Sequence, residues 1–145
     1  MIKQLLQSLV FFLILFPLAS VVHGQNYNMT NGSINTCSGN FYDSGGSGAN
    51  YGNSQNFTQT FCSTTPGSPI QINFSAFNIE NNYDFLTIYN GSSTTAPLIG
   101  NYTGTNSPGT VVASSGCITL RFTSDITINA AGWTAIISCL APPPP

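Results

Sequence analysis

Outside its first two dozen residues, the chain alternates apolar and polar positions with a period of two and offers no helical period of useful length. Gln55–Cys62 sets Phe57 and Phe61 among polar neighbours. Ile70–Phe77 places Ile70, Ile72, Phe74 and, less strictly, Phe77 against Gln71, Asn73 and Ser75. In Phe85–Tyr89, Leu86 and Ile88 share one side with the preceding Asp84, while Phe85, Thr87 and Tyr89 face the other way, and Asn90-Gly91 closes the strand with a turn. Pro97–Gly104 predicts a short edge segment around Leu98, Ile99 and Tyr102, and Thr110–Ala113 another strand. Ile118–Phe122 and Trp133–Ser138 alternate again and are expected to lie side by side as antiparallel neighbours across the Asp125–Gly132 loop. Strands separated by turn chemistry, with no helix between them, predict an all-β sandwich or barrel.

The remaining stretches read as irregular. Gln25–Thr36 is polar and is expected to be a loose leader, and the Gly- and Ser-rich Cys37–Tyr51 reads as turns. The last residues, 140–145, end in four prolines and read as a stiff spacer or truncated end. Met1–Gly24 has the form of a secretory signal peptide: Lys3 gives a basic start, Leu9–Leu18 an apolar core, and Ala19, Ser20 and Gly24 small residues for cleavage. Its apolar run falls short of the about 20 residues a membrane span needs. The expected organisation is therefore signal peptide 1–24, leader 25–36, one β domain 37–139 and tail 140–145.

Export changes the charge picture. It removes the only Lys and the only His (Lys3 and His23) and leaves four carboxylates, Asp43, Glu80, Asp84 and Asp125, against Arg121, a formal −3. One base provides no cationic footprint for nucleic acid or anionic lipid, so neither partner is expected, nor any membrane insertion after cleavage. Without imidazole, amine or free thiol, nucleophilic triads and Schiff-base chemistry are excluded, and the mature chain is not expected to be an enzyme. The location expected is secreted, extracellular or on the cell surface.

Cys37, Cys62, Cys117 and Cys139 in an exported chain predict two disulfides with three possible connectivities. Proximity in sequence, and the expected pairing of the last two strands, favour Cys37–Cys62 with Cys117–Cys139. Phe74, Phe77, Phe122 and Trp133 are expected in the core. Tyr83, Tyr89 and Tyr102 are either packed or an exposed platform for sugar or protein. Six Asn-x-Ser/Thr sequons, at Asn28, Asn31, Asn56, Asn73, Asn90 and Asn101, gain meaning only in a host that glycosylates.

Acids are scarce enough that Glu80 and Asp84, four residues apart at the mouth of a strand, stand out. Tyr83-Asp-Phe-Leu-Thr-Ile-Tyr-Asn-Gly91 resembles the Tyr-Asp strand of CUB domains; Ser114-Ser-Gly-Cys-Ile-Thr-Leu-Arg-Phe-Thr-Ser-Asp125 resembles a later segment of that family, and Gly132-Trp-Thr-Ala135 its ending. Tyr51-Gly-Asn-Ser and Cys37…Cys62 fit upstream, and the Gly-rich Phe41-Tyr-Asp-Ser-Gly-Gly is more similar to CUB domains of large secreted bacterial proteins than to animal ones.

The resemblance implies a two-sheet, antiparallel, jelly-roll-like sandwich and a non-catalytic interaction module. It also implies a calcium ion held by Glu80, Asp84 and Asp125, with Tyr51 in support. Calcium takes 6–8 oxygens, so carbonyls around Ile126–Ile128 and water would complete the shell. Asp43 is expected to shape an Asx turn, with a further ligand role as the alternative. For Asp84 and Asp125 the alternative to metal is turn capping. Against the family pattern, the disulfide bracketing the Tyr-Asp strand is missing, with Cys117–Cys139 in its place, and the Glu80–Asp84 link is short.

The implied function is calcium-dependent recognition of an extracellular protein presenting Lys or Arg, in a module of a larger secreted or surface protein. The alternative is a carbohydrate-binding or adhesin-type module with a purely structural calcium.

Overall fold

The computed structural model describes residues 24–145; the expected signal peptide therefore lies outside the described residues, apart from its final Gly24. Ten strands run in chain order: β1 (Asn26–Asn28), β2 (Gly32–Asn35), β3 (Ser38–Tyr42), β4 (Asn56–Cys62), β5 (Ile70–Asn78), β6 (Phe85–Asn90), β7 (Leu98–Tyr102), β8 (Thr110–Ala113), β9 (Cys117–Thr123) and β10 (Gly132–Cys139). They form two five-stranded sheets, β1-β3-β10-β5-β8 and β2-β4-β9-β6-β7. The inward residues of both sheets meet in one core. Most pairings are antiparallel, but β1 runs parallel to β3 and β2 parallel to β4, so both sheets are mixed.

The alternation seen in the sequence sets which faces are buried. Leu86 and Ile88 of β6 and Ile118, Leu120 and Phe122 of β9 point inward and are fully buried. On β5 the period breaks: Ala135 of β10 pairs with Phe74 while Thr134 pairs with Ala76, which leaves Ser75 as a bulge. The Ser75 hydroxyl donates to the Thr134 carbonyl (3.1 Å), and the extra residue returns Phe77 to the inner face. Trp133 lies at the centre of an aromatic cluster, with ring centroids 5.1 Å from Phe122, 5.7 Å from Phe41 and 6.4 Å from Phe77.

Three expectations are corrected. The stretch read as a loose leader supplies β1 and β2, edge strands of the two sheets, and Met29 between them is buried. The Cys37–Tyr51 stretch contains β3, whose Phe41 is fully buried. β9 and β10 are not neighbours: each is the central strand of its own sheet, and they meet face to face across the core rather than edge to edge.

That separation also overturns the expected Cys37–Cys62 and Cys117–Cys139 pairing: the disulfides join Cys37 to Cys139 and Cys62 to Cys117. Cys62 and Cys117 are direct register partners on β4 and β9. Cys37 precedes β3, whose Ser38 pairs with Ser138 of β10, so Cys139 arrives opposite it. Loop-closure entropy grows only slowly with length, so partners 102 and 55 residues apart are no handicap once strand order places them together. Both bridges lie at the same end of the sandwich, where Ser63 Oγ is 3.4 Å from Cys37 Sγ and 3.1 Å from Cys139 Sγ.

Candidate metal centre

The opposite end of the sandwich carries the acids. β5 runs away from the disulfides and ends at Asn78; Glu80 follows it. A single turn, closed by the Asp84 N–H donating to the Glu80 carbonyl (3.2 Å), delivers Asp84 to the start of β6. Asn82 takes a left-handed conformation in that turn (φ 66°), which Asn tolerates better than most residues. Its N–H donates to Thr103 Oγ1 (2.8 Å), whose hydroxyl donates to the Glu80 carbonyl (3.1 Å). Asp125 follows β9, and its Oδ1 accepts the Thr127 N–H (2.8 Å), an Asx turn.

These loops bring one ligand oxygen from each of Glu80, Asp84 and Asp125 within 4.8 Å of one another. Asp84 is wholly buried and doubly held: Oδ2 accepts the Tyr51 hydroxyl (2.5 Å) and Oδ1 the Asp125 N–H (2.9 Å). The Tyr51 hydroxyl also accepts the Glu80 N–H (2.9 Å), so one buried phenol braces two members of the trio. Burial, and then its bond to Asp84, push that phenol's pKa upward, which keeps it a donor. Glu80 differs: its Oε2 is buried with no hydrogen-bond partner. Desolvation raises its pKa, and the nearby charges of Asp125 and Asp84 raise it further.

Asp43 stands apart from this cluster. Its Oδ1 accepts the Gly45 N–H (2.7 Å), the expected Asx turn, and its Oδ2 accepts the Trp133 N–H (3.2 Å), which fixes the start of β10. Burial raises its pKa, and those two N–H groups pull it partly back. The Ile126 carbonyl accepts from Asn53 Nδ2 (3.2 Å).

The three tyrosines do not share a platform. Tyr83 is exposed in the turn before β6, Tyr102 packs against the core, and Tyr89 is half-buried within β6. Of the apolar side chains on the loops that carry the acids, the exposed Tyr83 (64%) was foreseen as one alternative, whereas the exposure of Ile126 (78%) and Ile128 (66%) was not. Loop isoleucines scattered singly carry no pattern to read.

The comparisons with known proteins agree with this architecture. Mouse Tolloid-like protein 2 is 38% identical over 80 residues, 52% of this chain and 8% of that protein. Human cubilin is 35% identical over 94 residues, 62% of the chain and 3% of that protein. Human neuropilin-2 is 31% identical over 127 residues, 85% of the chain and 14% of that protein. The chain thus spans only a small part of these relatives. Among solved structures, the full extracellular region of zebrafish Gpr126/Adgrg6 matches with a TM-score of 0.67 and 21% identity, over 78% of this chain and 15% of that one. The MASP-1 CUB2 domain bound to Ca2+ matches with a TM-score of 0.62 and 22% identity, over 75% and 98%. The family profile described as CUB domain covers residues 31–136, and with that coverage the chain belongs to the CUB-domain family.

Proposed function

We propose that this domain is a non-catalytic extracellular module that recognises a partner protein through a calcium ion held by Glu80, Asp84 and Asp125. The observation that carries the reading is the pairing of converged carboxylates with an orphaned buried oxygen, Glu80 Oε2. Two ligands at calcium's usual distance from a shared ion stand at most about 5 Å apart, which suits the 4.8 Å limit of this trio. A buried carboxylate oxygen with no donor is costly unless a cation supplies what hydrogen bonds do not. Hard oxygen donors, without Cys or His among them, suit calcium rather than zinc.

Three carboxylates outweigh one divalent ion, so the loaded rim keeps a net negative charge and attracts a Lys or Arg from the partner. The Ca2+-bound state named for the MASP-1 CUB2 domain supports the reading by likeness of fold. Two disulfides and the expected signal peptide support a secreted or surface location, as part of a larger protein.

The test is calcium titration by calorimetry, paired with thermal melts. Wild type is expected to give a binding heat and a raised Tm, and Glu80→Gln and Asp125→Asn to lose both. No heat and no Tm change in wild type would sink the metal and the function built on it.

A second reading, carbohydrate binding, is favoured by an uncharged cleft of about 660 Å3 lined by Asn26, Asn28, Thr30, Tyr42 and the Gly45–Gly48 loop. Glycan-array binding that survives chelation supports it; binding lost with calcium counts against it.

A further inference from the structure

The flank of the sandwich formed by β1 and β2, opposite the β7 and β8 edges, holds a cleft of about 660 Å3 between β1 and the Gly45–Gly48 loop. No charged side chain lines it. Its size is that of a small-ligand site.

Strand register sets its chemistry. β1 runs parallel to β3 with Asn26 opposite Asn40 and Asn28 opposite Tyr42, so the alternation that turns Phe41 into the core turns these four outward. Tyr42 stays half-buried. Tyr27 donates its hydroxyl to Thr36 Oγ1 (3.3 Å), and Asn26 Oδ1 accepts from Asn40 Nδ2 (2.9 Å). The Asn28 amide and the Tyr42 hydroxyl, by contrast, make no such bond among the described residues, and both residues line the cleft.

The facing wall is held in place. Asp43 Oδ1 accepts the Gly45 N–H (2.7 Å) and the Asp43 carbonyl the Gly46 N–H (3.1 Å), while Ser44 Oγ donates to Gln55 Oε1 (2.6 Å) and accepts the Gly52 N–H (3.4 Å). Gly46 is left-handed (φ 75°), and a Cβ there would meet Asn28 Nδ2 at 3.1 Å, so glycine keeps that amide clear. Across the same loop lies a second recess of about 230 Å3 against Asn50, Ala131 and Thr134, and Thr134 is the β10 register partner of Tyr42. The Gly46–Gly48 loop is thus a ridge between two recesses.

Charge narrows the ligand. A sulfated, phosphorylated or sialylated group calls for a base, and Arg121, the only one in residues 24–145, is on β9 in the other sheet. A basic peptide calls for an acid, and Asp43, the nearest in sequence, is fully buried with both oxygens engaged. What remains is amides, hydroxyls and a half-buried tyrosine ring. That set suits a neutral polyol, whose neighbouring hydroxyls pair with an amide and whose apolar face packs on a ring.

We propose that the cleft is a calcium-independent site for an uncharged oligosaccharide: one pyranose lies against the Tyr42 ring with two hydroxyls on the Asn28 amide, and the next sugar crosses the Gly46–Gly48 ridge toward Thr134. This rests on the carbohydrate reading above and makes it an addition to the calcium rim rather than its alternative.

The test is calorimetry in chelator with maltotetraose, cellotetraose, mannotetraose and N-acetylchitotetraose, their monosaccharides, heparin, and the peptide Gly-Ser-Asn-Gly-Ser-Asn. At least one neutral tetrasaccharide is expected to bind, about tenfold tighter than its monosaccharide, and heparin and the peptide are expected not to bind. Tyr42→Ala is expected to weaken binding about tenfold and Asn28→Ala about fivefold. Asn tolerates the left-handed region, so Gly46→Asn should keep its Tm within a few degrees and lose binding by crowding the Asn28 amide. Glycan binding within about twofold of wild type in all three variants would overturn the cleft and leave carbohydrate recognition to another surface. Equal affinity for monosaccharide and tetrasaccharide would overturn the crossing of the ridge. Binding of heparin or the peptide in place of neutral sugars, or binding that appears only when calcium is restored, would overturn the ligand class. Binding to none of the sugars would overturn the carbohydrate reading together with the cleft.

Discussion

Tyr51→Phe removes one oxygen from the buried centre of the site and leaves the ring. Tyr51 is 1% exposed, and its ring stands edge-on to Phe122 at 5.0 Å, a contact that Phe keeps. What disappears is a bond to the Asp84 carboxylate and the acceptor for the Glu80 N–H. A hydrogen bond to a charged group contributes about 1.5–3 kcal/mol, and a buried donor left unpaired costs about 1–3 kcal/mol. Because both losses occur at one atom they overlap in part, and the expected destabilisation is about 3–5 kcal/mol. Against a total stability of about 5–15 kcal/mol that is a large fraction, and it corresponds to a fall in Tm of roughly 10–20 °C. The assay is guanidinium unfolding with disulfides intact and calcium chelated, followed through the single tryptophan, Trp133. The midpoint should drop with the slope unchanged. A cost below about 1 kcal/mol would refute the assignment of Tyr51 as the brace between Asp84 and Glu80, because it would mean that neither group depends on the hydroxyl.

Further outcomes follow from the same geometry. Asp43 and Glu80 have pKa values raised above 3.8 and 4.5, chiefly by burial, so the folded chain holds these protons more tightly than the unfolded one. Their stabilising effect is therefore present below those values and is lost as pH rises through the raised ones, so the calcium-free Tm should decline across that window. Under the proposed function calcium would bind Glu80 ionised, so an increment in Tm on adding calcium should grow over the same range; an increment that is flat with pH counts against Glu80 as a ligand. At Gly132 (φ 70°) an added Cβ would land on the Asp43 carboxylate, and Gly132→Ala should cost about 2–4 kcal/mol in denaturant unfolding. Gly48→Ala, which meets open space, should stay within about 0.5 kcal/mol; equal costs at the two positions would refute the steric argument.

Much of the sandwich was readable because its central strands have one buried face, and a period of two is then imposed by the core. β6, β8 and β9 fall within a residue of where alternation put them, and even the lapse at Phe77 had a cause, the Ser75 bulge. β1 and β2 escaped because strands of three and four residues at sheet edges show almost no buried pattern; pairing with β3 and β4 makes them strands, and pairing is not written locally. The same holds for the cysteines, whose partners follow strand order rather than spacing. Scarcity drew attention to Glu80 and Asp84, and the family resemblance added Asp125. The orphaned Glu80 oxygen and the apolar rim needed coordinates, since both depend on which loops meet.

The two ends of the sandwich solve different problems. Each disulfide joins neighbouring strands within one sheet, Cys37–Cys139 across β3 and β10 and Cys62–Cys117 across β4 and β9, and neither ties the sheets together. At the far end, about 20 Å along β4 and β9, the chain passes from one sheet to the other through the Glu80–Asp84 turn and through the loop after Asp125. Glu80 belongs to the end of β5 in one sheet, whereas Asp84, Asp125 and Tyr51 flank β6, β9 and β4 in the other. The Tyr51 hydroxyl, with bonds to both Glu80 and Asp84, therefore links the two layers at a place where no covalent bond does. Like-charged carboxylates gathered there oppose that link until they are neutralised. The carboxylate rim is in this way also the seam of the fold, so changes at Tyr51, Glu80 or Asp125 should register in stability as well as in the proposed recognition.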